Sequence, residues 1–376
     1  MSSLLFINGT VLTAPAGTTA LAVDRGVIRT EVRGADEIVN LDGGFLLPGF
    51  IDTQVNGGGG VLFNEAPTPE TIATIGRAHR AFGTTAFLPT LISDELDVID
   101  AAMRAVERAI ADGVPGVVGI HVEGPFISAA RKGTHDQTKF RQIDAASLKL
   151  LSSLTRGRTL VTLAPETCTP DDIRALVAAG VTVAAGHTDA DYATMRAAFD
   201  AGVTGVTHLY NAMSPLTHRA PGAAGAALDD QQAYVGVIVD GHHVDPVALR
   251  IAMRARPRDR FMLVTDAMPT VGSASKSFTL QGKTIRVVDG VCVDEHGTLS
   301  GSDLDMASAV RNTVRMVGIP LGEAAVMAAT APAAFLGLGD RGRLDPGRRA
   351  DLVWLDRALQ VRGVWVGGQA QPTTPF

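Results

Sequence analysis

Through the middle of the chain, short apolar runs rich in β-branched residues alternate with stretches that carry helix start and stop signals. The runs are "FIDTQV", "TTAFLPT", "GVVGIHVEG", "TLVTLAPE", "VTVAAGHT", "GVTGVTHLYN", "AYVGVIVDG" and "RFMLVTDA". After the first, Thr68-Pro69-Glu70 offers an N-cap, a proline at the first helical position and an acidic first turn, and Gly83 stops that helix beyond about Phe82. Comparable signals begin helices at Ser93, at Thr169-Pro170-Asp171 (ended by Gly180) and at Asp245-Pro246. Eight βα units make a (β/α)₈ TIM-like barrel, and near-continuous apolar strands suit a parallel sheet covered by helices. After the eighth run come a β excursion, "KSFTLQGKTIRVVDGVCVD", and two apolar-periodic helices, "MASAVRNTVRMVG" and "LGEAAVMAATAPAAFLG".

Both ends of the chain have a different texture. "LLFINGTVLT", "TALAVDRGVIRT" and "DEIVNLDGGFLLPGF" read as short strands broken by Gly, Pro and Asn, and "GRLDPGRRADLVWLD" and "VRGVWVGG" repeat that pattern near the C-terminus. The expected class is α/β: residues 1–47 and 338–376 form a small β-sandwich domain, and residues 48–337 form the barrel.

Composition narrows the function. With 376 residues, 46% hydrophobic and 19% charged, the chain has an ordinary globular balance. A net charge of −6 leaves no basic excess for a polynucleotide, although one or two local Arg or His residues would serve a small anion. Cys168 and Cys292 form no C-x-x-C and read as thiols of a reducing compartment. The N-terminus lacks the basic region of a signal peptide and no apolar run is long enough to span a bilayer, so a cytoplasmic enzyme is expected.

Active sites of such barrels lie at the C-terminal ends of the strands. There the sequence gathers Gln54 and Asn56, Glu123, Glu166, His187, His208, His242 and His243, and Asp266. Any one alone reads as a polar residue satisfied at a strand end. Together Glu123, His187 and His208 make a one-metal set suited to Zn²⁺, with Fe²⁺ or Co²⁺ also acceptable. Asp266, following an apolar strand in "LVTDAM", reads as a general base for an activated water. His135 in "RKGTH" either polarises a carbonyl or stays solvated. Arg219 in "SPLTHRAPG" is an anion clamp or a surface arginine. His79 reads as structural, and Glu166 and His242 stay open. The run Gly57–Gly60 lacks the Gly-Lys-Ser/Thr of a phosphate loop and reads as close backbone packing, and "GRRAD" near Arg348 reads as a turn.

The segments "PGFIDTQVNGGGGVLFN", "HVEGPFISAARKGTH", "AAGHTDA", "VTHLYNAMSPL", "GVIVDGHHVD", "LVTDAM" and "TLSGSDLDM" together resemble N-acetylglucosamine-6-phosphate deacetylases of the amidohydrolase superfamily, over nearly the whole length. That resemblance implies a bipartite β domain, a distorted barrel and usually a homodimer. It implies metal ligands at Glu123, His187 and His208 and the catalytic acid/base at Asp266. It places substrate contacts at Thr134, His135, Asn211 and Ala212, a 6-phosphate grip at Arg219 and His243, and a loop over the sugar at Leu299, Ser300 and Gly301. Family dimers bring Arg219 towards the partner's site. Members with His-x-His on the first strand bind two metals, whereas those with Gln-x-Asn, as at Gln54 and Asn56, use one. The implied reaction hydrolyses N-acetylglucosamine 6-phosphate to glucosamine 6-phosphate and acetate. Alternatives are an enzyme for another amino-sugar phosphate, such as N-acetylgalactosamine 6-phosphate, and a non-catalytic binding protein. Cyclic-amide hydrolases with a bridging lysine on strand 4 are disfavoured, because that strand ends "LAPE".

Overall fold

The computed structural model describes residues 3–374. Eight parallel strands lie side by side in chain order: Phe50–Val55, Thr84–Ile92, Gly119–Glu123, Arg158–Leu163, Thr182–Ala185, Gly205–Val206, Tyr234–Val237 and Phe261–Leu263, or β1 to β8. Val55 pairs in parallel with Ala267, and the Asp266 N–H donates to the Gln54 carbonyl at 3.0 Å. The chain after β8 therefore returns to β1 and the barrel closes. Ile51, Leu88, Leu160, Ala184 and Met262 fill its N-terminal end, packed on Phe335 and Leu336. The opposite end is left for polar side chains.

Helix starts follow the local chemistry. The Thr68 hydroxyl accepts from the Thr71 N–H before helix Pro69–Arg80. Thr169 and Asp172 form a capping box on helix Pro170–Ala178, and Asp245 caps helix Pro246–Ala255. The second helix departs from expectation: it spans Leu96–Ala111 rather than starting at Ser93, because the Ser93 hydroxyl bonds His135 instead of a helix N–H. Strand β6 is shorter than its apolar run, since His208 adopts φ +30° and turns the chain out of the sheet. The two C-terminal helices are interrupted by π-helical turns, Thr313–Val317 and Val326–Thr330.

The chain ends build two further sheets. One pairs Leu4–Ile7 with Leu21–Asp24 and Glu37–Asn40. The other joins Phe45–Pro48 from the N-terminal part to Leu352–Leu355 and Val361–Val366 from the C-terminal part. Phe6, Val23, Ile28, Leu46, Leu352 and Trp365 form their shared core. The β excursion is a separate antiparallel sheet ending in Leu299–Ser302, whose Ser302 pairs with Ala267 at the barrel rim. No helix among the described residues is long and apolar enough to cross a membrane.

The seam between β1 and β8 carries a buried carboxyl. Asp52 meets the Thr265 hydroxyl at 2.5 Å and accepts from the Gln54 and Thr265 N–H groups at 3.2 and 3.3 Å. Burial pushes it up to about 7, against those hydrogen bonds. A carboxyl raised in the folded state holds its proton where the unfolded chain has lost it, so its contribution weakens as pH climbs from about 4 to about 7. Asp52→Asn mimics the protonated form. It should flatten this part of the stability–pH profile, measured as the wild-type-minus-variant difference in urea midpoint across that range; parallel profiles would refute it.

Candidate active site

Glu123 ends β3, His187 stands two residues beyond β5, and His208 two beyond β6; all three are buried. Glu123 Oε1 lies 3.3 Å from His187 Nε2 and 3.1 Å from His208 Nε2, and the two imidazole nitrogens are 3.2 Å apart. Tetrahedral zinc ligands with bonds of about 2.0–2.1 Å stand about 3.3 Å from one another. The donor set therefore fits one such cation. His187 Nδ1 lies 2.9 Å from the Arg131 carbonyl and can only donate to it, which frees the Nε2 lone pair for the shared point. Burial works against the Glu123 carboxylate, but bonds and charges from His187 and His208 outweigh it and hold it well below the usual range. Glu123, His135 and His187 also gather within 4.8 Å. His135 Nε2 is 3.9 Å from Glu123, so the set with His208 is the tighter one.

Asp266 follows β8 and reaches the same spot. Its Oδ1 accepts from Asn56 Nδ2 at 2.6 Å and Gln54 Nε2 at 3.2 Å, and Gln54 also donates to Glu123 Oε1 at 3.0 Å. Burial and the nearby Glu123 charge push the Asp266 carboxyl up to about 6. A carboxyl near that value can both take and return a proton around neutrality. His187, His208 and Asp266 have φ of +48°, +30° and +52°, and Ala212 +49°. Such backbone costs about 1–3 kcal/mol per residue. Its concentration around one point marks where strand ends are bent to aim side chains together.

These groups open into a cavity of about 420 Å³ that also meets Thr134, His135, Asn211, Ala212, His243, Leu299 and Gly301. Gly301 has φ +67°, and a Cβ there would stand 2.9 Å from the Asp266 carbonyl, so the strand can pass only as glycine. Ser300 does not join them. Neighbouring side chains of a strand face opposite ways, and Ser300 faces a separate cavity of about 160 Å³. Arg219 also lies apart: it is exposed, outside the cavity wall, with no hydrogen bond or ion pair among the described residues.

Several ambiguities of the sequence are settled by geometry. His243 lines the cavity with Nδ1 2.6 Å from Asp240 Oδ2, whereas His242 is exposed. Glu166 accepts from the Thr188 hydroxyl and the Asp189 N–H, both at 2.5 Å, and so braces the turn after His187. His79 Nε2 holds the Gly57 carbonyl at 2.9 Å, and a Cβ on Gly58 would stand 2.8 Å from that ring. Three partners went unnoticed in the sequence: Ser93 on His135, Asp240 on His243, and the buried chain His121–Thr162–Thr207. Asp240, three residues before His243, was the one with a readable signal.

Comparison with known proteins places the whole chain. The amidohydrolase family model matches residues 45–370. An N-acetylgalactosamine-6-phosphate deacetylase of Shewanella sp. (strain ANA-3) is 46% identical over 88% of this chain and 84% of its own length. The N-acetylglucosamine-6-phosphate deacetylase of Bos taurus is 39% identical over 90% of this chain and 86% of its own. The crystal structure of N-acetylglucosamine-6-phosphate deacetylase from Pasteurella multocida superposes with a TM-score of 0.94 at 34% identity, covering 98% of this chain and 99% of that one. With its closed barrel, its buried carboxylate and imidazole cage and these matches along most of its length, the chain belongs to the amidohydrolase family and is a hydrolase of amide bonds.

Proposed function

We propose that the protein deacetylates an amino-sugar phosphate, converting N-acetylglucosamine 6-phosphate to glucosamine 6-phosphate and acetate. The observation that carries this reading is the convergence of Glu123, His187 and His208 beside Asp266, in a chain whose relatives bear that activity. Those three residues would hold one divalent cation, Zn²⁺ by donor type, which would supply Lewis-acid chemistry, acidifying water and polarising a carbonyl. Asp266 takes a proton from the attacking water and returns it to the leaving amine. His135 donates from Nε2 to the carbonyl oxygen as charge develops there, a contribution of about 3–4 kcal/mol per such donor. Thr134, Asn211, Ala212, Leu299 and Gly301 shape the sugar site, and His243, held by Asp240, serves the phosphate. Gln54 and Asn56 act as donors that hold Glu123 and Asp266.

N-acetylgalactosamine 6-phosphate is the second reading, favoured by the 46% identical relative that carries that activity. Acetate release from each sugar phosphate, compared as kcat/KM, separates the two. No release from either would refute both.

Arg219 belongs to a homodimer in this proposal and serves the partner's phosphate site. Its exposure outside its own cavity, beside the exposed Leu216, supports that placement. Mixing inactive Asp266→Asn chains with weakly binding Arg219→Ala chains should restore activity, because one site of each mixed dimer then has both residues intact. Mixtures no more active than the sum of the separate variants would place Arg219 in its own chain's site or in neither.

A further inference from the structure

We infer that Ser93 is a positioning residue for this reaction: it holds the His135 ring in the tautomer that presents an Nε2–H to the substrate. The inference rests on the proposed role of His135 and extends it to a residue outside the substrate cavity. Ser93 follows β2 directly. Its hydroxyl lies 2.7 Å from His135 Nδ1, and its backbone N–H donates to the same nitrogen at 3.3 Å. A ring nitrogen that receives a backbone N–H offers its lone pair, so the ring proton sits on the other nitrogen, Nε2. Nε2 faces the Glu123 side of the cavity, 3.9 Å from that carboxylate. Ser93 and His135 are 1% and 3% exposed, so bulk water cannot substitute for the serine.

The surroundings keep this contact in place. Asn64 Oδ1 accepts from the Ile92 N–H at 3.0 Å, and its Nδ2 donates to the Ile92 carbonyl at 3.1 Å and to Asp94 at 3.2 Å, which clamps the chain on both sides of Ser93. Gly124 has φ +78°, and a Cβ there would stand 2.2 Å from Ser93 Oγ. The segment before His135 is exposed at Lys132 and Gly133, so the barrel's grip on the ring runs through Ser93. The serine has given up the helix-capping role its sequence position suggests.

The test uses zinc-loaded full-length protein. His135→Asn should collapse kcat. Ser93→Ala removes the 2.7 Å hydroxyl contact and leaves the ring only the longer backbone one at 3.3 Å; it should lower kcat about 10–100-fold, the range for partners that orient a reacting or ligating group, with KM and zinc per subunit unchanged. Ser93→Ala/His135→Asn should be no worse than His135→Asn alone, because the serine acts only through that ring. In protein labelled with ¹⁵N-histidine, the His135 signal should be that of the Nε2–H tautomer, and Ser93→Ala should broaden or shift it. A Ser93→Ala kcat within twofold of wild type, multiplicative losses in the double variant, or an Nδ1–H signal in the wild type would each overturn the inference. Wild-type turnover in His135→Asn would instead overturn the role of His135 on which it rests.

Discussion

Asp266→Asn is expected to lower kcat by about 10²–10⁴-fold, the range for a lost general acid–base, while the metal and the sugar phosphate still bind. The geometry makes this substitution unusually clean. Both amide donors, Asn56 Nδ2 and Gln54 Nε2, meet the same oxygen, Oδ1. An asparagine keeps an oxygen there and places its NH₂ where the second carboxylate oxygen was. The side chain thus retains its size and its two supports and loses only the ability to accept and return a proton. Substrate binding measured calorimetrically, beside acetate release under saturating substrate, checks both halves. Turnover within threefold of wild type would end the acid–base role. Loss of metal together with activity would show that Asp266 is a ligand instead.

The second large effect is loss of all measurable turnover on chelation, with full return at about one equivalent of divalent metal per subunit. The stoichiometry follows from what occupies the strand-1 positions. Gln54 and Asn56 turn their NH₂ groups towards carboxylate oxygens, Gln54 towards both Glu123 and Asp266 and Asn56 towards Asp266. Each amide donor here faces a carboxylate acceptor. An NH₂ group turned to that side cannot itself ligate a second cation there. Elemental analysis of the purified protein gives the count, and a rise in melting temperature with added metal gives an activity-independent reading, since a ligand of the folded state alone stabilises it. Two tightly held metals would refute the one-metal reading. No metal after reconstitution would refute the cage.

The barrel was legible because its information is local. Alternation of apolar runs with capped helices and the type of residue closing each run are properties of neighbouring positions, and Glu123, His187, His208 and Asp266 could be named from them. What stayed hidden depends on contacts between distant segments. Ser93 looks like an N-cap because its neighbours suit one, and only the approach of residue 135 removes it from the helix. The choice between His242 and His243 turned on which side of a turn faces inward, and Asp240 decides it. Ser300 was grouped with its loop neighbours, but strand alternation sends it to the far side. Glu166 sits at a strand end like Glu123, yet its oxygens accept from Thr188 and Asp189.

The seam that closes the barrel has a consequence for how the protein acquires its activity during folding. Gln54 and Asn56 meet Asp266 across sequence separations of 212 and 210 residues. Contacts between such distant positions form slowly, because the entropy of closing so large a loop is lost before any contact offsets it. The strands between can assemble through their nearer neighbours, but Asp266 meets its supporting amides only when the eighth strand reaches the first. Compactness therefore comes before competence along the folding route, and catalysis itself becomes the reporter of the final join.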